Sequence, residues 1–507
     1  MLSKTISLGI NGIDAHLVEV EVDTVRGLPG FTIVGLPDSS VKEAKDRIRS
    51  AIENSGFLFP PKNYIVNLAP AEFKKQGSNF DLPIAIAILV HSGQTDIHTT
   101  PYPMVGELSL DGTLRAVQST ISMTLTLHKK NFDHFIVPYD NRYEANAIDN
   151  IKIYPAKSLN EVIKILTTNT KPFTDTRQET QKYFSIDFST IAGQEGIKRA
   201  AEVATAGYHN FLMYGPPGSG KSMIAKAIQG ILPKLTKNQA IETTIIHSNA
   251  GVLPINSGLI TTPPFRSPHH TSSHISIVGG GRIASPGEIS LSHNGILFLD
   301  ELTEFQGFLL QTMRQPLEDG VITISRAAGT SVYPAKFMLV GACNPCRCGY
   351  IFDPEIECTC TNAMIRSYYS KISGPIIDRI DIEHYVPRIA YEKLTNNSGT
   401  ETSATIRERI TECRLIQLER FKNRNYSFNG QMDTEDVRKY CQLSNEDENF
   451  LINSSQKMRL SARSYFRILR VARTIADLDK KEGIKKNHIL EALSYKNLPR
   501  NYEMFLS

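Results

Sequence analysis

Apolar and polar residues alternate with a period of two at 16–22 and 30–34, as in strands with one face buried. A helix-like stretch at 40–55, a strand at 64–68 and a continuously apolar helix at 82–91 follow, so residues 1–165 read as a mixed α/β unit. From 167 to 182 the chain reads TTNTKPFTDTRQETQK, with one large apolar residue, and this polar run predicts a linker over 166–184. A second α/β pattern fills 185–395. Its apolar runs at 211–214, 296–299 and 337–340 alternate with helical segments, as in a parallel sheet with crossovers. Beyond a polar stretch near 395–405, residues 396–507 are patterned as helices.

The chain has 507 residues, enough for three or four domains at roughly 150 residues each. Its net charge of +4 is too small to argue for a polyanionic partner. The distribution says more: residues 451–500 hold twelve Lys/Arg against four Asp/Glu. Such a segment is either a phosphate-facing surface or a solvated helical face. The longest apolar run, 82–90, contains Pro83 and is about half the length of a membrane span. The N-terminus lacks the apolar core of a signal peptide. The expectation is therefore a cytoplasmic protein with no membrane partner. Seven cysteines, an odd number, fit a reducing compartment better than a disulfide framework.

Gly215, Pro216, Pro217, Gly218, Ser219, Gly220, Lys221 and Ser222 match GxxxxGK[ST] in full, between the apolar run FLMY and the helical KSMIAKAIQGIL. Backbone N–H groups of such a loop cradle phosphate at a helix N-terminus. Lys221 would reach the β/γ-phosphates of ATP, and Ser222 would ligate Mg²⁺. The apolar run ILFL ends in Asp300 and Glu301, the first placed to hold the metal and the second to activate water as a general base.

Five of the seven cysteines fall between Cys343 and Cys360. Cys346, Cys348, Cys358 and Cys360 form CxC-x9-CxC around a polar loop, a set of thiolates able to hold Zn²⁺ tetrahedrally. Cys343 reads as a core residue, and Cys413 and Cys441 as packed in helices. Adjacent His269 and His270 rarely face one metal centre, so a polar or phosphate contact is expected for them. Arg463, Arg467, Arg470 and Arg473 share one stripe of a helix, with Ile468, Leu469, Ala472 and Ile475 largely opposite.

GPPGSGKS together with PFRSPHHTSS, GGGRIASPGEISLSHNGILFLDEL, CNPCRCG and SGPIIDRIDI resembles the magnesium-chelatase-like AAA+ ATPases of the ComM/YifB family. The resemblance runs through nearly the whole chain, including VRGLPGFTIVGLPDSSVKEAKDRIRSAI near the start. It implies an AAA+ core with a C-terminal helical lid, working as a homo-hexameric, ATP-driven DNA motor. The activity it implies is a helicase driving branch migration of recombination intermediates in natural transformation. Arg379 matches the finger arginine that a neighbouring subunit supplies, Asn344 the polar sensor, and Arg463 the second sensor arginine. The other three arginines of that helix are expected to be solvated or DNA-facing. In the AAA+ helicases this sequence resembles, a hairpin like VITISR–AAGTS–VYPAK enters the central channel. Arg326 and Lys336 would there track branched or single-stranded DNA without reading sequence, or else be ordinary surface cations.

Residues 1–165 resemble the Lon peptidase domain, GSNFDLPIAIAIL being the matching core segment, with Ser78 near the nucleophile position. No lysine stands where the base should follow, in TLRAVQSTISMTLTL, so a non-catalytic domain is expected. The alternative to a DNA motor is a chelatase-type motor that remodels a protein partner, against which the N-terminal domain is weighed.

Overall fold

A computed structural model of the chain describes residues 2–95, 97, 102–174, 186–281, 284–326, 329–372, 376–388, 401–496 and 502. At the N-terminus, β1 (Ser3–Asn11), β2 (Asp14–Val25), β3 (Gly30–Val34) and β4 (Asn63–Ala69) form a sheet in the order β1-β2-β4-β3. β1/β2 and β2/β4 are antiparallel, and β3 runs parallel to β4. The period of two in β2 appears as buried Val18, Val20 and Val22 around exposed Glu19. The helix expected at 40–55 is broken at Glu43, leaving a short Ser39–Lys42 turn and α1 (Ala44–Asn54). α2 (Asp81–His91) packs on β1 and β2, and every residue from Asp81 to Leu89 is buried. That explains its unbroken apolar composition. α3 (Thr120–Lys129), the parallel pair β5 (His134–Pro138) and β6 (Lys152–Ala156), and α4 (Leu159–Thr167) complete the unit.

The expected linker is not free along its whole length. α4 runs into it, and the Phe173 N–H donates to Ile153 O at 2.8 Å while its ring meets Tyr143 edge-on at 5.5 Å. The part from 175 to 184 lies outside the described residues.

The next unit contains α5 (Glu195–Gly207), β7 (Phe211–Tyr214), α6 (Lys221–Ile231), α7 (Lys237–Asn249), β8 (Phe265–Arg266), β9 (Ile296–Leu299), the hairpin β10 (Val321–Arg326) and β11 (Gly329–Pro334), β12 (Met338–Cys343), α8 (Asn362–Ile372) and β13 (Ile382–Tyr385). Five of these strands form one parallel sheet in the order β8-β9-β12-β7-β13. β7, the first in the chain, thus sits between the two last. In open parallel sheets such a switch point, at the carboxyl ends of the strands, is where ligands bind.

The C-terminal helices are α9 (Ser403–Arg420), α10 (Thr434–Tyr440), α11 (Asn445–Lys457), α12 (Ala462–Leu478) and α13 (Lys486–Ser494). α9 packs on α5 and α6, and α12 packs on α5. Their apolar faces join the sheet's lower face in one hydrophobic cluster, with Ile406, Ile410, Ile468, Val471 and Ile475 buried alongside Ile224, Ile228 and Phe298.

The N-terminal unit docks on the end of α7. Ser248 Oγ accepts from the Ser119 N–H at 2.8 Å and donates to Glu144 at 2.6 Å. Asn249 donates to Gly12 O at 2.6 Å, and Arg142 to Asn256 at 2.5 Å. Among the described residues, no helix is long and apolar enough to cross a membrane.

Candidate functional site

The loop from Gly215 to Gly220 leaves β7 and opens α6, with Gly220 at φ +88° as the residue before the helix. Only glycine takes that backbone without penalty, and a turn of this kind at a helix N-terminus favours an anion. Lys221 is buried. Its ammonium donates to Gly215 O at 2.8 Å, Pro216 O at 2.9 Å, Ser219 Oγ at 3.3 Å and Asn344 Oδ1 at 3.4 Å. Burial pulls its pKa below the usual lysine range, partly opposed by Cys343 and Asp300. A lysine charge held against neutral carbonyls is suited to a polyanion brought within its reach.

Across the sheet, β9 delivers Asp300, whose Oδ2 accepts from Ser222 Oγ at 2.6 Å. These two oxygens could together hold Mg²⁺ at the phosphate end of the site. Glu301 follows with φ +51° and ψ +48°, a left-handed conformation that costs a non-glycine residue about 1–2 kcal/mol. It turns the carboxylate out of the sheet, leaving the side chain 61% exposed. There Glu301 Oε2 lies 3.3 Å from His270 Nδ1. The His270 ring in turn lies 4.1 Å from that of His269, tilted by 33°, and meets Phe305 edge-on. This contact was not legible in the sequence, because the histidines and Glu301 are joined only by the pairing of β8 with β9.

The expected finger, Arg379, is buried in the turn Ile377–Arg379. Its guanidinium pairs with Glu318, and its carbonyl accepts from Asn210 at 2.9 Å. Pro375, the start of that motif, lies outside the described residues. Glu318 and Asn210 also line a cleft of about 610 Å³ between the sheet unit and the C-terminal helices, with Lys336, Asp381, Arg463 and Arg467. Arg463 therefore belongs with the surroundings of Arg379, in a cleft whose lining includes none of the loop 215–220.

The three other arginines of α12 are not the solvated or DNA-facing stripe expected. Arg467 pairs with Asp381 at 3.4 Å, and Arg470 donates to Gly430 O at 3.3 Å. Arg473, 3% exposed, pairs with Asp477 at 2.9 Å. Burial opposes ionisation of Asp381, yet Arg467, His209 and Arg470 hold its carboxyl far below the usual range. The reason is that α12 is enclosed, packing on α5, α9, α10, α13 and the turn Asn429–Gln431, with Arg467 reaching Asp381 just before β13. Part of the basic excess at 451–500 is thus spent inside the molecule.

The cysteine-rich loop joins β12 to α8. The sulfurs of Cys346, Cys348, Cys358 and Cys360 all lie within 4.8 Å of one another. Three of the spacings are 3.3, 3.4 and 3.7 Å. Thiolates at about 2.3 Å from a tetrahedral Zn²⁺ stand about 3.8 Å apart, so the four fit such an ion with little adjustment. Cys343 lies apart from this group, buried, with burial pushing its thiol up to about 12. Cys413 is buried in α9 and Cys441 just past the end of α10.

Lys336 lies at the base of the β10–β11 hairpin, where its ammonium donates to Asn425 O at 3.0 Å across the cleft. The Arg326 side chain lies outside what is described. In the N-terminal unit, Ser78 Oγ donates to Glu107 rather than to any lysine, and Lys75 is buried with its ammonium on Pro70 O.

Three family models cover most of the chain. Residues 187–394 match the one described as magnesium chelatase, subunit ChlI, and 20–141 the one described as subunit ChlI of Mg-chelatase. Residues 400–496 match magnesium chelatase, subunit ChlI C-terminal. The chain is 42% identical to competence protein ComM of Haemophilus influenzae, over 96% of each. It is 41% identical to protein YifB of Escherichia coli, again over 96% of each. The magnesium-chelatase 38 kDa subunit of Rhodobacter capsulatus is 26% identical over 31% of this chain and 50% of its own length. With the phosphate loop, the paired carboxylates and the parallel sheet in place, these likenesses show that the chain belongs to the ComM/YifB family of magnesium-chelatase-like AAA+ proteins.

Proposed function

We propose that the chain is an ATP-driven DNA motor, acting as a homo-hexameric helicase that promotes branch migration of recombination intermediates during natural transformation. The observation that carries the motor is the convergence of Lys221, Ser222, Asp300, Glu301 and Asn344 at the carboxyl ends of β7, β9 and β12. Ser222 and Asp300 would hold Mg²⁺, which when bound neutralises charge on the phosphate oxygens. Lys221 moves from its loop carbonyls to the β/γ-phosphates, Asn344 orients the attacking water, and Glu301 accepts its proton. Arg379, released from Glu318, reaches the γ-phosphate held by a neighbouring copy, and Arg463 acts on the same side. Cys346, Cys348, Cys358 and Cys360 would hold Zn²⁺, which when bound would supply the ordering energy of the loop after β12.

Support for the DNA half comes from likeness over 96% of the chain to a protein named for competence. The DNA contact falls to Arg326 on the hairpin, with Lys336 at its base. A chelatase-type motor remodelling a protein partner is the second reading. The match of residues 20–141 to a chelatase-subunit model removes the N-terminal unit as an argument against it.

The deciding measurement is ATP hydrolysis with forked or four-way DNA, at rising salt, and separately with candidate protein substrates. The DNA reading expects stimulation by branched DNA of any sequence, with affinity falling steeply as salt rises. Stimulation by protein alone would establish the chelatase-type reading instead.

A further inference from the structure

The four-cysteine loop lies beside the phosphate loop and touches it. Gly349 sits one residue after Cys348, at φ +92°, and its N–H donates to Cys346 Sγ at 3.2 Å. A Cβ built on Gly349 would stand 2.5 Å from Pro217 Cδ and 3.0 Å from Pro217 Cγ. The backbone of the cysteine loop is therefore pressed onto the middle of the phosphate loop, closer than any side chain would allow.

Two further connections run the same way. The strand that carries the loop passes beneath the site: the Gly215 N–H donates to Cys343 O at 3.3 Å, and Asn344 touches Lys221. Farther along the loop, the Phe352 ring meets Tyr214 at 6.3 Å, the last residue of β7 before the phosphate loop. The Tyr385 hydroxyl donates to Phe352 O at 3.1 Å, and the buried Tyr502 hydroxyl donates to Pro345 O. Residues 345–352 thus form one wall of the nucleotide site. Of that wall, the turn Cys346–Gly349 has little apolar side chain of its own. Its shape depends on the sulfurs that close it.

We infer that a soft divalent metal on Cys346, Cys348, Cys358 and Cys360 is coupled to nucleotide binding, the metal fixing Gly349 against Pro217 so that the phosphate loop holds its anion-receiving shape. This rests on the Zn²⁺ reading of the four thiols and adds a task to it. The cluster is an energetic partner of the ATP site, which it meets through the backbone of Gly349 against Pro217. Coupling of this kind is reciprocal: if metal tightens nucleotide binding by some factor, nucleotide tightens metal binding by the same factor.

The test uses the full chain, stripped of metal with a chelator under reducing conditions and then reloaded with Zn²⁺ alone. A fluorescent, non-hydrolysable ATP analogue is titrated into both forms. The expected result is nucleotide affinity at least about tenfold weaker in the stripped protein and restored by one equivalent of Zn²⁺. In the reverse titration, saturating analogue should raise Zn²⁺ affinity by a matching factor. Gly349→Ala keeps all four sulfurs and should still bind one Zn²⁺, but with weak nucleotide affinity that no longer responds to the metal. Should that variant misfold, the two wild-type titrations decide alone. Protein that binds one Zn²⁺ with unchanged nucleotide affinity overturns the coupling while leaving the metal site standing. Protein that takes up no Zn²⁺ overturns both.

Discussion

Eight consecutive residues, 215–222, make up the phosphate-facing half of the proposed ATPase site, whereas its proposed second half, around Arg379, draws on Asn210, Glu318, Asp381 and Arg463. The first is local because backbone amides and one helix N-terminus do most of the binding. The second is assembled by the ends of the sheet strands, the short helix Arg314–Asp319 and α12 together, and its charges neutralise one another. Arg379 is held by Glu318, and Arg467 by Asp381. The difference teaches that one half is ready to meet an anion, while Arg379 in the other would have to exchange Glu318 for an external partner to act.

Disabling each half separately tests this division. The largest effect is expected for Lys221→Ala, which should lose measurable nucleotide binding and with it hydrolysis, as read by fluorescent-nucleotide titration. Arg379→Ala should bind nucleotide normally and lose about 10³-fold in hydrolysis, the scale of an arginine finger. Mixing it with Lys221→Ala protein should recover part of the rate through hybrid interfaces. No recovery, in mixtures that still co-assemble, would end the assignment of Arg379 to a neighbour's site. Glu301→Gln, across from the phosphate loop at the end of β9, should retain ATP while slowing turnover about 10²- to 10³-fold in single-turnover assays. The smallest change is expected for His270→Ala. Loss of a part-exposed contact is worth at most about 1 kcal/mol, so basal hydrolysis should rise only about two- to fivefold, with unaltered nucleotide affinity. A large drop instead would make His270 a participant in the chemistry.

The contrast also explains what could be read from the chain before its fold was known. The motif 215–222, the pair Asp300–Glu301 and the four-cysteine spacing are short-range patterns, and the structure brings each set together. Strands at 211–214 and 296–299 stood out because both faces are buried and the runs are wholly apolar. β8, two residues long, and β13, whose polar Glu383 and His384 interrupt the apolar pattern, did not. Helical spacing placed the four arginines of α12 on one stripe. It could not show that Arg467 meets Asp381, since that partner depends on how α12 packs, whereas the Arg473–Asp477 pair is an i,i+4 contact within the helix itself. The His270–Glu301 and Gly349–Pro217 contacts likewise join residues that no local pattern connects.

The hydrophobic cluster shared by the sheet unit and α9 and α12 has a mechanical consequence. Swinging the C-terminal helices away would uncover Ile406, Ile410, Ile468, Val471 and Ile475. At about 1.5–3 kcal/mol for each such side chain, that amounts to roughly 10 kcal/mol. The core and its C-terminal helices therefore behave as one stiff wedge, not as a jaw on a hinge. In the proposed motor, compliance would lie elsewhere: at the seam between copies of the chain, where Arg379 would change partner, and at the polar joint of Ser248 and Glu144, which carries the N-terminal unit. Force generated at the phosphate loop of such a motor would be delivered to those two joints.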